Sequence, residues 1–104
     1  MIRIAVDAMG GDRGPETVID GALEAARDGG VSLSLVGRED RLRELLAARP
    51  HSADLDIDIV PAEDAVGMGE RPTTALRQRP RASIRVAAAE VASGRAAALF
   101  SALR

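Results

Sequence analysis

The apolar residues of this chain change their spacing as it runs, and that change restricts the fold more than any other feature. Ile2-Arg3-Ile4-Ala5-Val6, Val31-Ser32-Leu33-Ser34-Leu35-Val36 and Leu55-Asp56-Ile57-Asp58-Ile59-Val60 alternate with period two, the pattern of strands. Between them, Ile19, Ala22, Leu23 and Ala26, and then Leu42, Leu45 and Leu46, recur at helical spacing and give each helix one apolar stripe. Strands that alternate with helices form βαβ units, which call for a parallel sheet with right-handed crossovers.

Punctuation residues set the limits of these elements. The first helix is expected from Pro15 to Asp28, with Gly29-Gly30 as its stop, and the second from about Arg38 to Ala48. Arg49-Pro50 ends the second, because the residue before a proline is pushed out of the α region. His51 to Asp54 reads as linker, and His51 as a loop residue beside Pro50 rather than a ligand or base. From Pro61 to Arg81 periodicity fails, although Pro72 can open a short helix to about Arg79 before Pro80 interrupts it. A further helix is expected from Ser83 as N-cap, with Ile84, Ala87, Ala88 and Val91 as its buried stripe and Ser93-Gly94 as its end. Ala96 to Ser101 reads as a fourth, buried strand. Together these imply one α/β domain over residues 1–104, a three-layer α/β/α, Rossmann-like sheet, mostly parallel and truncated to about four strands.

The stretch Asp7-Ala8-Met9-Gly10-Gly11-Asp12-Arg13-Gly14-Pro15 follows the first strand, where open α/β sheets place their ligands. Gly10 and Gly11 let the backbone turn and approach a ligand closely, and Asp7 and Asp12 put two carboxylates on one turn. A tight turn carrying a solvated aspartate accounts for the same residues, and so does a Mg²⁺ site on Asp7 and Asp12. The serine or threonine and the lysine expected of aspartate-nucleophile phosphatases are not in place for the metal reading, and the chain has no lysine. Arg77, Arg79, Arg81 and Arg85 cluster around Pro80, near the start of a helix, a setting that suits an anion. A solvated arginine-rich helix surface is the other reading.

Composition excludes several classes. Net charge is −2, so bulk electrostatics give no basis for nucleic-acid binding. All 14 basic residues are arginine, and the chain has no cysteine, which removes disulfides and thiolate chemistry. Alanine dominates the apolar residues and Phe100 is the single aromatic, so a core with little burial energy per residue is expected. No apolar run approaches the ~20 residues that span a bilayer. The amino terminus carries a strand pattern rather than a leader pattern. A cytoplasmic location is the expectation.

The run Asp7-Ala8-Met9-Gly10-Gly11-Asp12 with Pro15 resembles the amino-terminal signature of the PlsX-type phosphate acyltransferases. The resemblance continues in Met68-Gly69-Glu70-Arg71-Pro72-Thr73-Thr74-Ala75, and more weakly in Arg77, Arg79 and Ala82-Ser83-Ile84-Arg85-Val86-Ala87. Pro80 stands where a basic residue is usual, and Ala82 replaces the first of two serines. Leu99-Phe100-Ser101-Ala102 is similar to a family strand that leads into a glycine-asparagine-threonine-glycine loop; here Leu103-Arg104 follow instead. The resemblance thus covers this chain and roughly the first third of the family's length.

What the resemblance implies is an enzyme of bacterial phospholipid synthesis that makes acyl phosphate from acyl-acyl-carrier-protein and inorganic phosphate. It implies no cofactor and no metal, a homodimer, and peripheral association with membranes in the full-length family. The residues it marks are Glu70, Arg79 and Ser83 as catalytic, and Asp7, Gly10, Gly11, Asp12 and Ser101 as phosphate-binding. For these 104 residues the expectation is an incomplete portion without turnover. The alternative is a non-catalytic α/β remnant or anion-binding half-domain. A fourth strand with no covering helix would leave apolar surface exposed, and self-association is expected from it.

Overall fold

The computed structural model describes residues 2–9, 15–62 and 83–101. Among them are strands β1 (Arg3–Asp7), β2 (Ser32–Gly37), β3 (Ile57–Pro61) and β4 (Ala98–Ser101), and helices α1 (Pro15–Gly29), α2 (Glu39–Ala47) and α3 (Ser83–Ala92). A short 3₁₀ turn, Pro50–Asp54, occupies the expected linker and holds His51 exposed. The four strands form one parallel sheet in the order β3-β2-β1-β4. This is the α/β fold implied by the alternating periods, in a Rossmann-like arrangement.

Strand order follows from how each crossover is placed. β1, β2 and β3 step outward in one direction, and α1 and α2 connect them. The chain then returns to the other side of β1 to lay down β4, so the order reverses between β1 and β4. Such a reversal leaves a crevice at the carboxyl ends of the two central strands.

Each face of the sheet has its own core. On one, α1 and α2 bring Ile19, Leu23, Ala26, Leu42 and Leu45 against Val6, Leu33 and Leu35. On the other, α3 contributes Ala87 to a layer of Ala5, Val36, Ala62 and Ala96. The alternation within β1 and β2 sorts these residues: Val6, Leu33 and Leu35 point one way, while Ala5, Asp7, Ser34 and Val36 point the other. Both faces are covered at the centre, so all of β2 is buried, including Ser32 and Ser34. The aspartates of the third apolar run stay exposed as expected, and Asp56 and Asp58 pair with Arg3.

Three expectations are corrected. The buried residues of α3 are Ser83, Ala87 and Glu90, so the helix is turned by about one residue from the Ile84-Ala87-Ala88-Val91 stripe. Ile84, Ala88 and Val91 are half-buried, and Arg95 answers the buried Glu90 carboxylate at 2.6 Å. The rotation lets Ser83 face the sheet. The fourth strand, expected to be buried, is an exposed edge: Leu99 is 38% and Phe100 53% accessible. Among the described residues it pairs only with β1, and no element lies beyond it. The third strand begins at Ile57 rather than Leu55, since the 3₁₀ turn delays it.

Positive φ angles occur where two helices stop. Gly30 (φ 66°) follows α1, and Gly94 (φ 83°) follows α3. The Gly30 N–H returns to the Ala26 carbonyl at 3.0 Å, closing the end of α1 through a residue without a Cβ.

Candidate functional site

The carboxyl ends of β1 and β4 meet around one carboxylate. Asp7 is the last residue of β1, it faces the α3 side, and its residue is completely buried. Burying a carboxyl group without partners is costly. Here donors arrive from separate parts of the fold. Oδ1 accepts the Ser83 hydroxyl at 2.5 Å and the Met9 backbone N–H at 3.3 Å. Oδ2 accepts the Ser101 hydroxyl at 3.0 Å.

Each donor is delivered by a different feature of the chain. Parallel pairing puts Ser101 directly beside Asp7, because β4 runs in register with β1 from Ile4–Ala98 to Asp7–Ser101. Ser83 opens α3, and the alanine layer beneath the helix allows a close approach to the sheet. The Met9 contact is a local turn in which an aspartate oxygen takes the N–H two residues on. Through Ser83, Asp7 therefore lies at the start of α3.

The first residues after β1 are held from the other side as well. The Ala8 N–H donates to the Val36 carbonyl at 3.0 Å, which extends the β1–β2 ladder past the strand end. Met9 then lies over Gly37: a Cβ placed on Gly37 would come within 2.6 Å of the Met9 Cε and 2.8 Å of its Cγ. Gly37 is therefore a close-approach glycine. A glycine at the carboxyl end of β2 is the signal of it in the sequence.

Of the residues marked from sequence, the structure brings Ser83 and Ser101 onto the carboxylate of Asp7. Gly10, Gly11, Asp12, Glu70 and Arg79 lie outside the described residues, as do Arg77, Arg81 and the expected helix from Pro72 to Arg79. Arg85, the described member of the arginine cluster, is exposed on α3. The hydroxyl of Ser83, expected to cap the helix, donates to Asp7. Among the described residues, no three acidic or imidazole groups gather as a metal-binding cluster. Every buried side-chain nitrogen or oxygen there has a hydrogen-bond partner.

Concave surfaces among the described residues lie near the sheet. A shallow one of about 270 Å³ is lined by Arg38, Glu39, Asp40, Pro61 and Ala62, at the carboxyl ends of β2 and β3. A groove of about 390 Å³ lies between α1, β1 and the edge strand, lined by Ile4, Val6, Val18 and Phe100 among others. The groove is apolar and on the opposite face of the sheet from Asp7.

The family model described as "Fatty acid synthesis protein" matches residues 2–103. The phosphate acyltransferase of Salinibacter ruber is 51% identical over 84 residues, 79% of this chain and 25% of that protein. The phosphate acyltransferase of Heliobacterium modesticaldum is 46% identical over 97% of this chain and 30% of its own length. That of Synechococcus sp. is 48% identical over 97% and 26%. The chain therefore spans between a quarter and a third of the curated relatives it matches.

Proposed function

This chain belongs to the fatty acid synthesis protein family, and from that premise we propose that it forms the phosphate-handling part of a phosphate acyltransferase. The reaction is proposed for a protein of the relatives' length, to which these residues contribute one side of the site. Its substrates are acyl-acyl-carrier-protein and inorganic phosphate. A phosphate oxygen attacks the thioester carbonyl, a tetrahedral intermediate forms, and the carrier thiolate leaves as acyl phosphate is released.

No protein nucleophile is required by this chemistry. Phosphate must be held in attack geometry, and donors must meet the oxyanion that develops. Asp7, Gly10, Gly11, Asp12 and Ser101 belong to the phosphate side, where the glycine N–H groups, rather than the carboxylates, can approach the anion closely. Arg79 supplies positive charge, Glu70 orients, and Ser83 stands at the start of α3. Neither a metal nor an organic cofactor has a step in the scheme. Dimerisation, peripheral membrane association and a cytoplasmic location belong to the same reading.

The observation that carries the proposal is the convergence of Asp7, Ser83 and Ser101 at the point where the strand order reverses. The test replaces the matching segment of the Heliobacterium relative with residues 2–103 of this chain and follows acyl phosphate by hydroxamate formation. Turnover that depends on phosphate and falls about a hundredfold in Arg79→Ala is the expected result. A folded chimera that releases no acyl phosphate would refute it.

A further inference from the structure

We infer that Asp7 is a positioning residue, whose carboxylate ties the start of α3 to the end of β4 and so fixes Ser83 and Ser101 for the proposed phosphate site without itself touching phosphate. The inference rests on the phosphate reading for what the site holds, and on hydrogen-bond geometry for what Asp7 does.

A carboxylate has acceptors to offer and no donor. The Asp7 oxygens already accept from Ser83, Ser101 and the Met9 N–H, and the residue has no exposed surface. Toward an anion such a group contributes repulsion rather than a bond. Its value lies in what it joins: Ser83 is 76 residues away in sequence and Ser101 is 94. The apolar contacts here are small, because the buried layer between α3 and the sheet is four alanines and one valine, with Val60, Val86 and Val91 only partly buried against it. Alanine layers allow a helix to slide where leucines would interlock. Directional bonds to one carboxylate remove that freedom, and they do so at the place where a βα crevice receives its ligand.

The experiment uses the 104-residue chain and inorganic phosphate, with Asp7→Asn, the pair Ser83→Ala/Ser101→Ala, and all three changes combined. Phosphate affinity is read by titrating amide resonances, and order by amide exchange at Ser83–Ala87 and Phe100–Ser101. The expected result is a loss of affinity on the order of tenfold in Asp7→Asn, equalled by the serine pair and not deepened in the triple variant. Exchange should accelerate in parallel in all three, while the α1 and α2 amides stay protected.

An Asp7→Asn effect on affinity that persists in full when both serines are already gone would overturn the inference, since Asp7 would then act on phosphate itself. Tighter phosphate binding in Asp7→Asn with unchanged exchange would overturn it as well. If wild-type chain shows no phosphate response, the phosphate reading fails separately, and the exchange cycle still decides whether Asp7 acts through the two serines. Should Asp7→Asn not fold, Ser83→Ala and Ser101→Ala each tested alone give the same comparison. In the chimera, the Asp7→Asn change should raise KM for phosphate and leave KM for the acyl carrier unchanged, a split that general loosening would not produce.

Discussion

The two faces of the sheet are built on different terms. Under α1 and α2, large side chains fill the space: Ile19, Leu23, Leu33, Leu35, Leu42 and Leu45 are all at most 5% accessible. Under α3 the apolar layer is Ala5, Val36, Ala62, Ala87 and Ala96, with polar groups on either side of it. At the carboxyl end stands Asp7 with its serines; at the amino end Arg3 bonds the Leu33 carbonyl, Ser34 and Asp56, while Ser32 also bonds Asp56. Burial energy scales with apolar area, so stability is concentrated on the first face. The second contributes position. A ligand site gains from that division, because its groups are fixed by directional bonds that a substitution in the main core leaves alone.

The contrast is tested most severely by truncating one large residue on the first face. Leu35 is completely buried in the α1/α2 core. Leu35→Ala should cost about 2–5 kcal/mol, a large part of the roughly 5–15 kcal/mol that holds a domain of this kind together. Urea unfolding measures it. A loss below about 1 kcal/mol would mean that the main core is not where the stability lies.

On the second face the opposite change is informative. Ala87 is completely buried on the sheet-facing side of α3. Ala87→Leu adds volume where the layer is thin, and should cost roughly 1–3 kcal/mol while lifting the helix from the sheet. Lifting it separates Ser83 from Asp7, so exchange at Ser83 should accelerate more than at Leu23 on the far side. Equal acceleration at both would show that the faces respond as one unit.

How much of this could be read in advance depends on which face is asked about. The stripes of α1 and α2 were legible because leucine and isoleucine stand among charged residues, which leaves one apolar direction. α3 was misread by about a residue for the opposite reason. Its run of alanines between Ile84 and Val91 is apolar on several sides, and the inward face was decided by Ser83 meeting Asp7 and by Arg95 neutralising Glu90. β4 looked buried because Leu99 and Phe100 are the residues of an inner strand; its place at the sheet edge is a matter of strand order, which residue types do not encode. The site divides likewise. Asp7, Ser83 and Ser101 were each marked individually, but their meeting depends on β4 returning beside β1. Gly10, Gly11, Asp12, Glu70 and Arg79 are marked by resemblance and fall outside the described residues.

A milder test sits where the site's loop crosses to the main core. Gly37→Ala places a methyl group 2.6 Å from the Met9 Cε, 2.8 Å from its Cγ and 3.4 Å from the Leu42 Cδ1. The Met9 side chain can swing away, so roughly 1 kcal/mol of stability is at stake. The Met9 amide resonance should move, since that N–H is bonded to Asp7. An unmoved Met9 amide would mean that the turn is held by Asp7 and Ala8 without help from the glycine.

The smallest effect is expected at the amino end of the second face, and it has a sign set by titration. The Ser32 hydroxyl and then the Arg3 guanidinium hold the Asp56 carboxyl below the ordinary carboxylate range. A group depressed on folding contributes stability above its unfolded value, near pH ~4, and that contribution disappears as pH falls through the folded value. Asp56→Asn should therefore lower Tm slightly at pH 6, and the gap from wild type should close in acid. Because Asp56 is at the surface, added salt should shrink the gap too. The same depression holds Asp20, through its hydrogen bond from Arg49, and Asp56→Asn should leave that part of the acid limb in place. A gap that widens in acid would reverse the assignment and make the Ser32–Asp56–Arg3 network a cost of the polar face rather than part of what fixes it.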